Sequence, residues 1–512
     1  MGKFYVTTAI DYANAPPHLG QAYEKTVADV LARFHRSRGD ETFFLTGTDE
    51  HGAKISRAAE TARIPVADFV DSKREDFKKL LKVLNISNDD FIFTEDKKRH
   101  WPGVEKMWRA IESAGDFYKA SYRGLYCVGH EAFVTAKDLK NGLCIDHNQR
   151  PEVIEEANYF FRLSKYTAKI KEAIESDAIL IQPEIRKNEV LAFLKEGVED
   201  VSFSRPTRDI PWGIPVHGDP GHTIYVWAEA LINYISALGY GSSDESKFKK
   251  FWPADLHVIG KDILRFHAVI FPGMLMAAGL PLPKKIFVHG MILSGGHKMS
   301  KTIGNVINPL ELIKTYGEDA TRYFLMREIP SGGDGDFTLE RFREVYEGNL
   351  AHGLGNLVSR TAAMIQKYFD GKVKRPSDDV LAFLPTKRML RGASVKLKAD
   401  SLERCFELGV RARVIESLDN IRLTEAITML FDFFSLLDGY IQDYEPFRLV
   451  KTDREKAGGV LWNVAEHLLK SASLLEPFLP KTSQSIQKSF IRQENGVIFV
   501  SLSESLFPSH KK

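Results

Sequence analysis

The sequence predicts an α/β protein: a Rossmann-like parallel sheet with an inserted connective domain, followed by an all-α helical bundle domain. Three observations lead there. Strand-like and helix-like patterns alternate along the first part of the chain, as a parallel sheet covered by helices requires. The alternation lapses over residues 118–205 and then resumes, so the middle block interrupts one sheet. Beyond about Glu344 the strand signal nearly vanishes.

Residues 4–10 are rich in β-branched and aromatic side chains and predict the first strand. Two prolines and a glycine between Asn14 and Gly20 end it. Residues 23–38 carry Val27, Val30, Leu31 and Phe34 at helical spacing, and Gly39 suits the C-cap. A second strand is predicted over 42–45 and a second helix over 53–63. Short strand-like pieces fill the middle block, and strands return at 256–259 and 286–289. Further on, Leu350, Leu354, Leu357, Thr361 and Met364 recur four and three apart, an amphipathic stripe in which Thr361 can still pack its methyl. Residues 411–444 and 460–475 read as helices too. The expected division is 1–117 and 203–295 for the two halves of the sheet domain, 118–202 for the insertion, 296–345 for a linking segment and 346–512 for the helical domain.

Composition excludes several classes. At 512 residues the chain suggests about three folded units. Hydrophobic residues at 44% and charged residues at 27% speak against disorder. The 70 Lys+Arg against 68 Asp+Glu leave +2, which excludes a polybasic chain but not a local basic face for nucleic acid. Three cysteines, Cys127, Cys144 and Cys405, are too few for a disulfide framework and fit a reducing compartment. No apolar run approaches the ~18 residues of a membrane helix. The first strand begins almost at once, so no leader is expected and a cytoplasmic protein is.

Two constellations could carry chemistry. Pro17-His18-Leu19-Gly20-Gln21 lies where the first strand gives way to a helix, whose start favours phosphate. Gly20 lets a ring or phosphate near the backbone, and His18 adds a donor. The second runs from Gly290 to Asn305, where a glycine pair precedes Lys298 and Lys301 on a loop. Alone, the first suits a turn histidine and the second a solvated loop. Both in one chain, in this order and each beside a strand, are the two signatures of class I aminoacyl-tRNA synthetases. The chain resembles the methionyl-tRNA synthetase family over almost all of its length.

That resemblance implies ATP-dependent attachment of methionine to tRNA(Met) through methionyl-adenylate, with Mg²⁺ on the triphosphate. It implies that His18, Lys298 and Lys301 stabilise charge on the phosphates and that His18, Gly20, Gln21, Gly260, Asp262 and Lys301 bind ATP. His267 lies beside the element that contacts the ribose. Asp49, in Thr46-Gly47-Thr48-Asp49-Glu50-His51-Gly52, falls where the family binds the amino group of methionine; its residue type also suits a helix N-cap. Trp227, Leu231 and Tyr234 share one face at i, i+4 and i+7, ordinarily core packing. The resemblance makes them walls of a methionine pocket with Ala9, Ile10, Tyr12 and His289. The 296–345 segment would contact the tRNA stem and the helical domain its anticodon, through Asn356, Arg360 and Phe447. A monomer is implied, because the chain stops where longer relatives add a dimerising domain.

A metal site is suggested by spacing. Cys127-x-x-His130 and Cys144-x-x-His147 lie thirteen residues apart, and tetrahedral zinc accepts two thiolates and two imidazoles. The resembling family usually has a cysteine where His130 stands, and some members lack zinc. Other departures are Gln21 for a second histidine, Phe447 for a tryptophan and Asp438 for an asparagine. They keep a second reading open, a catalytically weakened RNA-binding paralogue. A synthetase for another amino acid is a third reading, which the Trp227/Tyr234 pair and the short insertion oppose.

Overall fold

Six parallel strands form the frame: β1 (Lys3–Thr8), β2 (Glu41–Asp49), β3 (Asp90–Phe93), β4 (Leu180–Gln182), β5 (Leu256–Gly260) and β6 (Lys285–His289). The computed structural model describes residues 2–127, 132–134, 138–145, 148–208, 210–299, 304–382, 384, 401–501 and 505–509. The strands lie in the order β4-β6-β5-β1-β2-β3, and a two-residue strand, Asp11–Tyr12, prolongs β1 along β2. Because helices cover both faces, the strands read as near-continuous buried runs, as in β1, buried from Phe4 to Thr8.

Helix α1 (Leu19–Ser37) starts four residues before the apolar stripe suggests. It is also not amphipathic in place: residues 22–32 are all buried, Glu24, Lys25 and Asp29 with them. Charged residues survive there only because they meet partners.

The chain divides into two units, the first of Met1–Ala28, His35–Lys82 and Ile86–Gly290, the second of Asp29–Phe34, Val83–Asn85 and Met291–Lys512. Within the first unit an antiparallel sheet runs through Val201–Ser202, Glu152–Phe161, Phe117–Cys127 and Ala132–Val134. Phe117, Phe161 and Phe203 pack together at its base, and Trp108 stacks on Phe117 at 4.2 Å.

The second unit is built mainly of helices. A π-helical segment, Tyr346–Gly355, runs into α2 (Asn356–Phe369), and the predicted stripe from Leu350 to Met364 is buried. Thr361 donates its hydroxyl to Leu357 O at 2.7 Å, so its polar atom is satisfied. The helix expected over 411–444 breaks at Ile421, whose φ is 57°, before α3 (Leu423–Tyr444) begins. Helix α4 (Arg454–Leu475) packs against both α2 and α3. Three strands too short to show in sequence, Lys372–Val373, Phe490–Arg492 and Ile498–Val500, form a small antiparallel sheet here. Arg322 is fully buried, 2.7 Å from Asp29, and its other donors reach the carbonyls of Leu84, Pro477 and Phe478.

Candidate active site

The strand order reverses between β1 and β5, and open parallel sheets bind ligands outside the carboxyl ends at such a point. His18 lies beyond the end of β1, at the start of α1. Gln21 Oε1 accepts the His18 backbone N–H at 2.8 Å, and His18 Nδ1 accepts the Gly20 N–H at 3.0 Å. This is a reciprocal cap built from a histidine and a glutamine. A Cβ on Gly20 would meet the His18 ring at 2.8 Å, so the glycine makes room for that ring. With Nδ1 accepting, the neutral ring carries its proton on Nε2. Burial lowers the basicity of His18, only partly offset by the carboxylate of Asp262, so the ring acts as a neutral donor. Gly260 ends β5, and Asp262 is exposed in the turn after it.

A buried chain of charge runs beside this cap. Lys25 Nζ donates to Ala9 O at 2.8 Å and lies 3.0 Å from Asp11 and 2.9 Å from Glu24. Glu24 meets His289 Nε2 at 3.1 Å, and His289 Nδ1 meets Gly290 O at 2.8 Å. Burial pushes the Asp11 carboxyl up to about 7, with Lys25 holding it from going higher. Burial acts the same way on Glu24, but Lys25 and His289 outweigh it and the group ends below its ordinary value.

Asp49 ends β2 and is buried, with its Oδ1 3.4 Å from the His51 N–H and 3.5 Å from Thr94 Oγ1. It is not a helix N-cap: the next helix, Ala53–Ala62, begins after Gly52 and has no side-chain cap. The helix expected to carry Trp227, Leu231 and Tyr234 on one face is two short pieces, Val226–Ala230 and Asn233–Ser236. Leu231 and Tyr234 are buried, whereas Trp227 is half-buried and stacks on Phe266 at 4.0 Å. Tyr234 donates its hydroxyl to His267 Nε2 at 2.7 Å, while His267 Nδ1–H reaches Ile263 O at 3.0 Å. Burial lowers the pKa of His267 to about 4, so it stays neutral in that role. Ile10 and Tyr12 are half-buried, and Ala9 and His289 buried.

The remaining candidates lie in the second unit or the insertion. Ile292–Ser294 and His297–Lys298 pair across Gly295 and Gly296, both at positive φ as a tight hairpin requires. Lys298 is exposed; Lys301 lies outside the described residues. Asn356 is exposed near the start of α2. Arg360, one turn on, has Nη1 3.4 Å from Asp438 Oδ1, and Gln442 donates to Asp438 Oδ2 at 2.7 Å. Phe447 is half-buried in a short helix, Pro446–Leu449, beneath the Arg448 guanidinium. Cys127 and Cys144 are buried in one cluster with Val134, and Cys144 sits in a turn closed by Asn148 N–H to Cys144 O at 2.8 Å. His130 and His147 lie outside the described residues.

Sequence reasoning missed the buried polar partners Asp11, Glu24, Lys25, His100 and Glu229 and the half-buried Glu95. Each is an ordinary polar residue in its local pattern, and only distant strands and loops bury it.

Comparison with known proteins yields a consistent set. The family described as tRNA synthetases class I (M) matches residues 4–138 and 134–362. A methionine–tRNA ligase of Clostridium acetobutylicum is 44% identical over 488 residues, covering 95% of this chain and 73% of the relative. One from Brucella suis is 40% identical, covering 94% of this chain and 91% of the relative. The solved Mycobacterium tuberculosis methionyl-tRNA synthetase in complex with methionyl-adenylate superposes with a TM-score of 0.88 at 37% identity, over 96% of this chain and 94% of that one.

Proposed function

The chain belongs to the methionyl-tRNA synthetases of class I, and from that membership we propose how its own residues carry the reaction. It is a methionine–tRNA ligase that uses ATP to join L-methionine to tRNA(Met). A carboxylate oxygen of methionine attacks the α-phosphorus, the bond to the bridging oxygen breaks, and pyrophosphate leaves. A hydroxyl of the tRNA's terminal adenosine then attacks the carbonyl carbon of methionyl-adenylate, and AMP leaves. Relatives that are ligases by name give no support to a weakened RNA-binding paralogue.

In our reading His18 donates its Nε2–H to the phosphates, and Gln21, its carbonyl oxygen occupied by the cap, offers its amide N–H groups beside it. Lys298 and Lys301 offset the negative charge that develops on the α-phosphate and the departing pyrophosphate, and Mg²⁺ would accompany the triphosphate. Gly20 and Gly260 leave room for the nucleotide, and Asp262 takes a ribose hydroxyl. Asp49 receives the methionine ammonium. Tyr12 and Trp227 face the side chain, with Ala9, Ile10, Leu231, Tyr234 and His289 behind them. Positioning and electrostatics carry the rate.

Asn356, Arg360 and Phe447 read the anticodon, Phe447 by stacking without an indole donor. Cys127, His130, Cys144 and His147 would hold zinc; two of these ligands, Cys127 and Cys144, are thiols buried in one cluster, which suits it. About one zinc per chain is expected in protein purified without added metal; a ratio near zero removes the site. None of the three cysteines is joined in a disulfide, which fits a reducing compartment, and we place the protein in the cytoplasm. No helix among the described residues is long and apolar enough to cross a membrane.

The observation that supports the site assignment best is that His18, Asp49, Gly260 and Asp262 all lie at or beyond the carboxyl ends of neighbouring strands of one sheet. ATP–pyrophosphate exchange with each of the twenty amino acids, without tRNA, tests it. Methionine alone should support strong exchange; exchange with another amino acid overturns the pocket assignment.

A further inference from the structure

Two residues past Asp49, His51 is buried between two carboxylates. Its Nδ1 lies 2.8 Å from Glu229 Oε1 and its Nε2 2.8 Å from Glu95 Oε2. Carboxylates only accept, so both ring nitrogens donate and the ring is an imidazolium. Glu229 lies two residues past Trp227 on the helix Val226–Ala230 and is 1% exposed. Its other oxygen meets His100 Nε2 at 2.9 Å, and His100 Nδ1 meets Ser236 Oγ at 2.9 Å. A chain of hydrogen bonds therefore runs Glu95–His51–Glu229–His100–Ser236. It joins the loop after β2, the start of the helix Trp101–Ser113, and both short helices that bear the pocket candidates.

Core packing alone does not need this arrangement. An apolar pair would join loop and helix at less desolvation cost, because removing a carboxylate and an imidazolium from water is expensive unless every lone pair and proton is used. Here both carboxylate oxygens of Glu229 and both nitrogens of His51 are used. What the ionic chain adds over apolar contact is direction. The bonds fix the ring plane of His51, hence the backbone of residues 49–51, hence the Asp49 carboxylate, which the His51 N–H contacts. From the other end they fix the rotation of the helix that presents Trp227.

We propose that Glu229 and His51, with Glu95 and His100, are positioning residues for methionine: they lock the ammonium-binding Asp49 and the Trp227 wall into one unit. This rests on the assignment of the methionine pocket to these residues. Glu229 and His51 touch neither substrate. They set the distance and angle between the group that takes the amino end and the wall that takes the side chain. Loosening them weakens ground-state methionine binding, while the phosphate-binding end around His18, on other elements, is left as it was.

The test is pyrophosphate exchange by the full chain carrying Glu229→Gln, with methionine and ATP varied separately and the unaltered chain alongside. A glutamine keeps the size, and its carbonyl oxygen can still accept from His51 while its amide donates to His100. The counter-charge to the imidazolium is what is lost. We expect the methionine KM to rise about tenfold, with the ATP KM within about twofold and kcat within about threefold, a loss of uniform methionine binding. Glu95→Gln, at the half-exposed end of the chain where misfolding is not expected, should move the methionine KM about threefold in the same direction. The imidazole resonances of His51, followed by NMR, should titrate at lower pH in Glu229→Gln than in the unaltered chain. A purely structural role predicts that both KM values drift together, or that kcat falls with neither. Either result overturns the proposal, as would an unchanged methionine KM in both variants. Absence of exchange in the unaltered chain would sink the functional assignment itself, and this inference with it.

Discussion

The two units treat charge in opposite ways. Around the proposed pocket of the first, polar side chains are linked in chains that are mostly buried: Asp11–Lys25–Glu24–His289 on one side, Glu95–His51–Glu229–His100 on the other. In the second, the residues assigned to RNA keep their charges at the surface, as in Arg360 and Asp438, each about one-third exposed. Low dielectric and saturated hydrogen bonding make the buried groups strong and costly to disturb, whereas solvent screens the surface pair. The small substrates need fixed geometry; an RNA loop is met by side chains that can adjust.

The second unit has its own exception, and it gives the largest expected effect. Arg322 is fully buried and fully bonded, so Arg322→Leu leaves Asp29 with Arg33, 2.8 Å away, as its remaining counter-charge and strips the carbonyls of Leu84, Pro477 and Phe478 of their donor. Breaking a buried pair from one side costs about 3–5 kcal/mol when the remaining charge is uncompensated, and with Arg33 still beside Asp29 the low end of that range is expected. Chemical denaturation should register that loss. A loss below about 1 kcal/mol would mean that this pair is wet, and the contrast between buried and exposed charge would weaken.

His18→Ala comes next. Loss of one preorganised donor to a transition-state oxyanion typically costs about 2.7–4 kcal/mol, so exchange should fall by about two to three orders of magnitude. The fold should hold, because the altered side chain is half-buried at a helix end. Gln21→Ala should lose less, since the cap it removes is worth about 1 kcal/mol and His18 remains. Equal losses for the two would make Gln21 a direct phosphate ligand of equal rank. Thermal denaturation of both variants checks that stability moved by no more than the cap is worth.

A pH effect of intermediate size separates the units further. Burial alone would lower the pKa of His51, but Glu229, then Glu95 and Asp49, outweigh it and raise it from 6.5 to about 10. The folded state thus holds a proton that the unfolded chain gives up above about 6.5. The associated stability is complete below that pH and is lost as pH rises through 10. Glu229 and Glu95 are both held below 4.5, so their contribution is lost only as pH falls below that value. Lys97, 3.1 Å from Glu95, and His100 are the other ionisable groups facing the chain. Five of the six tryptophans lie in the first unit, so tryptophan fluorescence in urea reports mainly there. The midpoint should drop between pH 7 and 10, and less steeply in Glu229→Gln.

The sequence made the frame legible because strands buried on both faces stay apolar along their whole length, and because signature motifs are local. Phe4 to Thr8, Leu256 to Gly260 and the Leu350–Met364 stripe are cases where pattern and structure agree. The start of α1 was displaced because a histidine and a glutamine cap it, which propensity does not register. The break at Ile421 was missed because a positive φ on a β-branched residue comes from packing, not from the local chain. Among the proposed site residues, Asp49 is named by its motif. His51 and Glu229 stand 178 positions apart, and nothing in either neighbourhood announces the other.

The smallest effect tests the surface side of the contrast. Arg360 reaches Asp438 at 3.4 Å, and both are partly exposed, so the pair itself is worth no more than about 1 kcal/mol. If Arg360 reads a base edge, Arg360→Ala removes about 1–3 kcal/mol of discrimination, a loss of about fivefold to 150-fold in tRNA charging with exchange untouched. Asp438→Asn acts in the opposite sense. It releases the guanidinium from a competing carboxylate and removes a negative charge that repels RNA phosphates. Gln442, which donates to Asp438, can donate equally to the asparagine oxygen, so the helix face is not disturbed. The tRNA KM should therefore fall, by no more than about fivefold, and the fall should shrink as salt is raised. A rise in tRNA KM would show that Asp438 holds Arg360 in its reading position, and that even this exposed pair is built for geometry as the buried chains are.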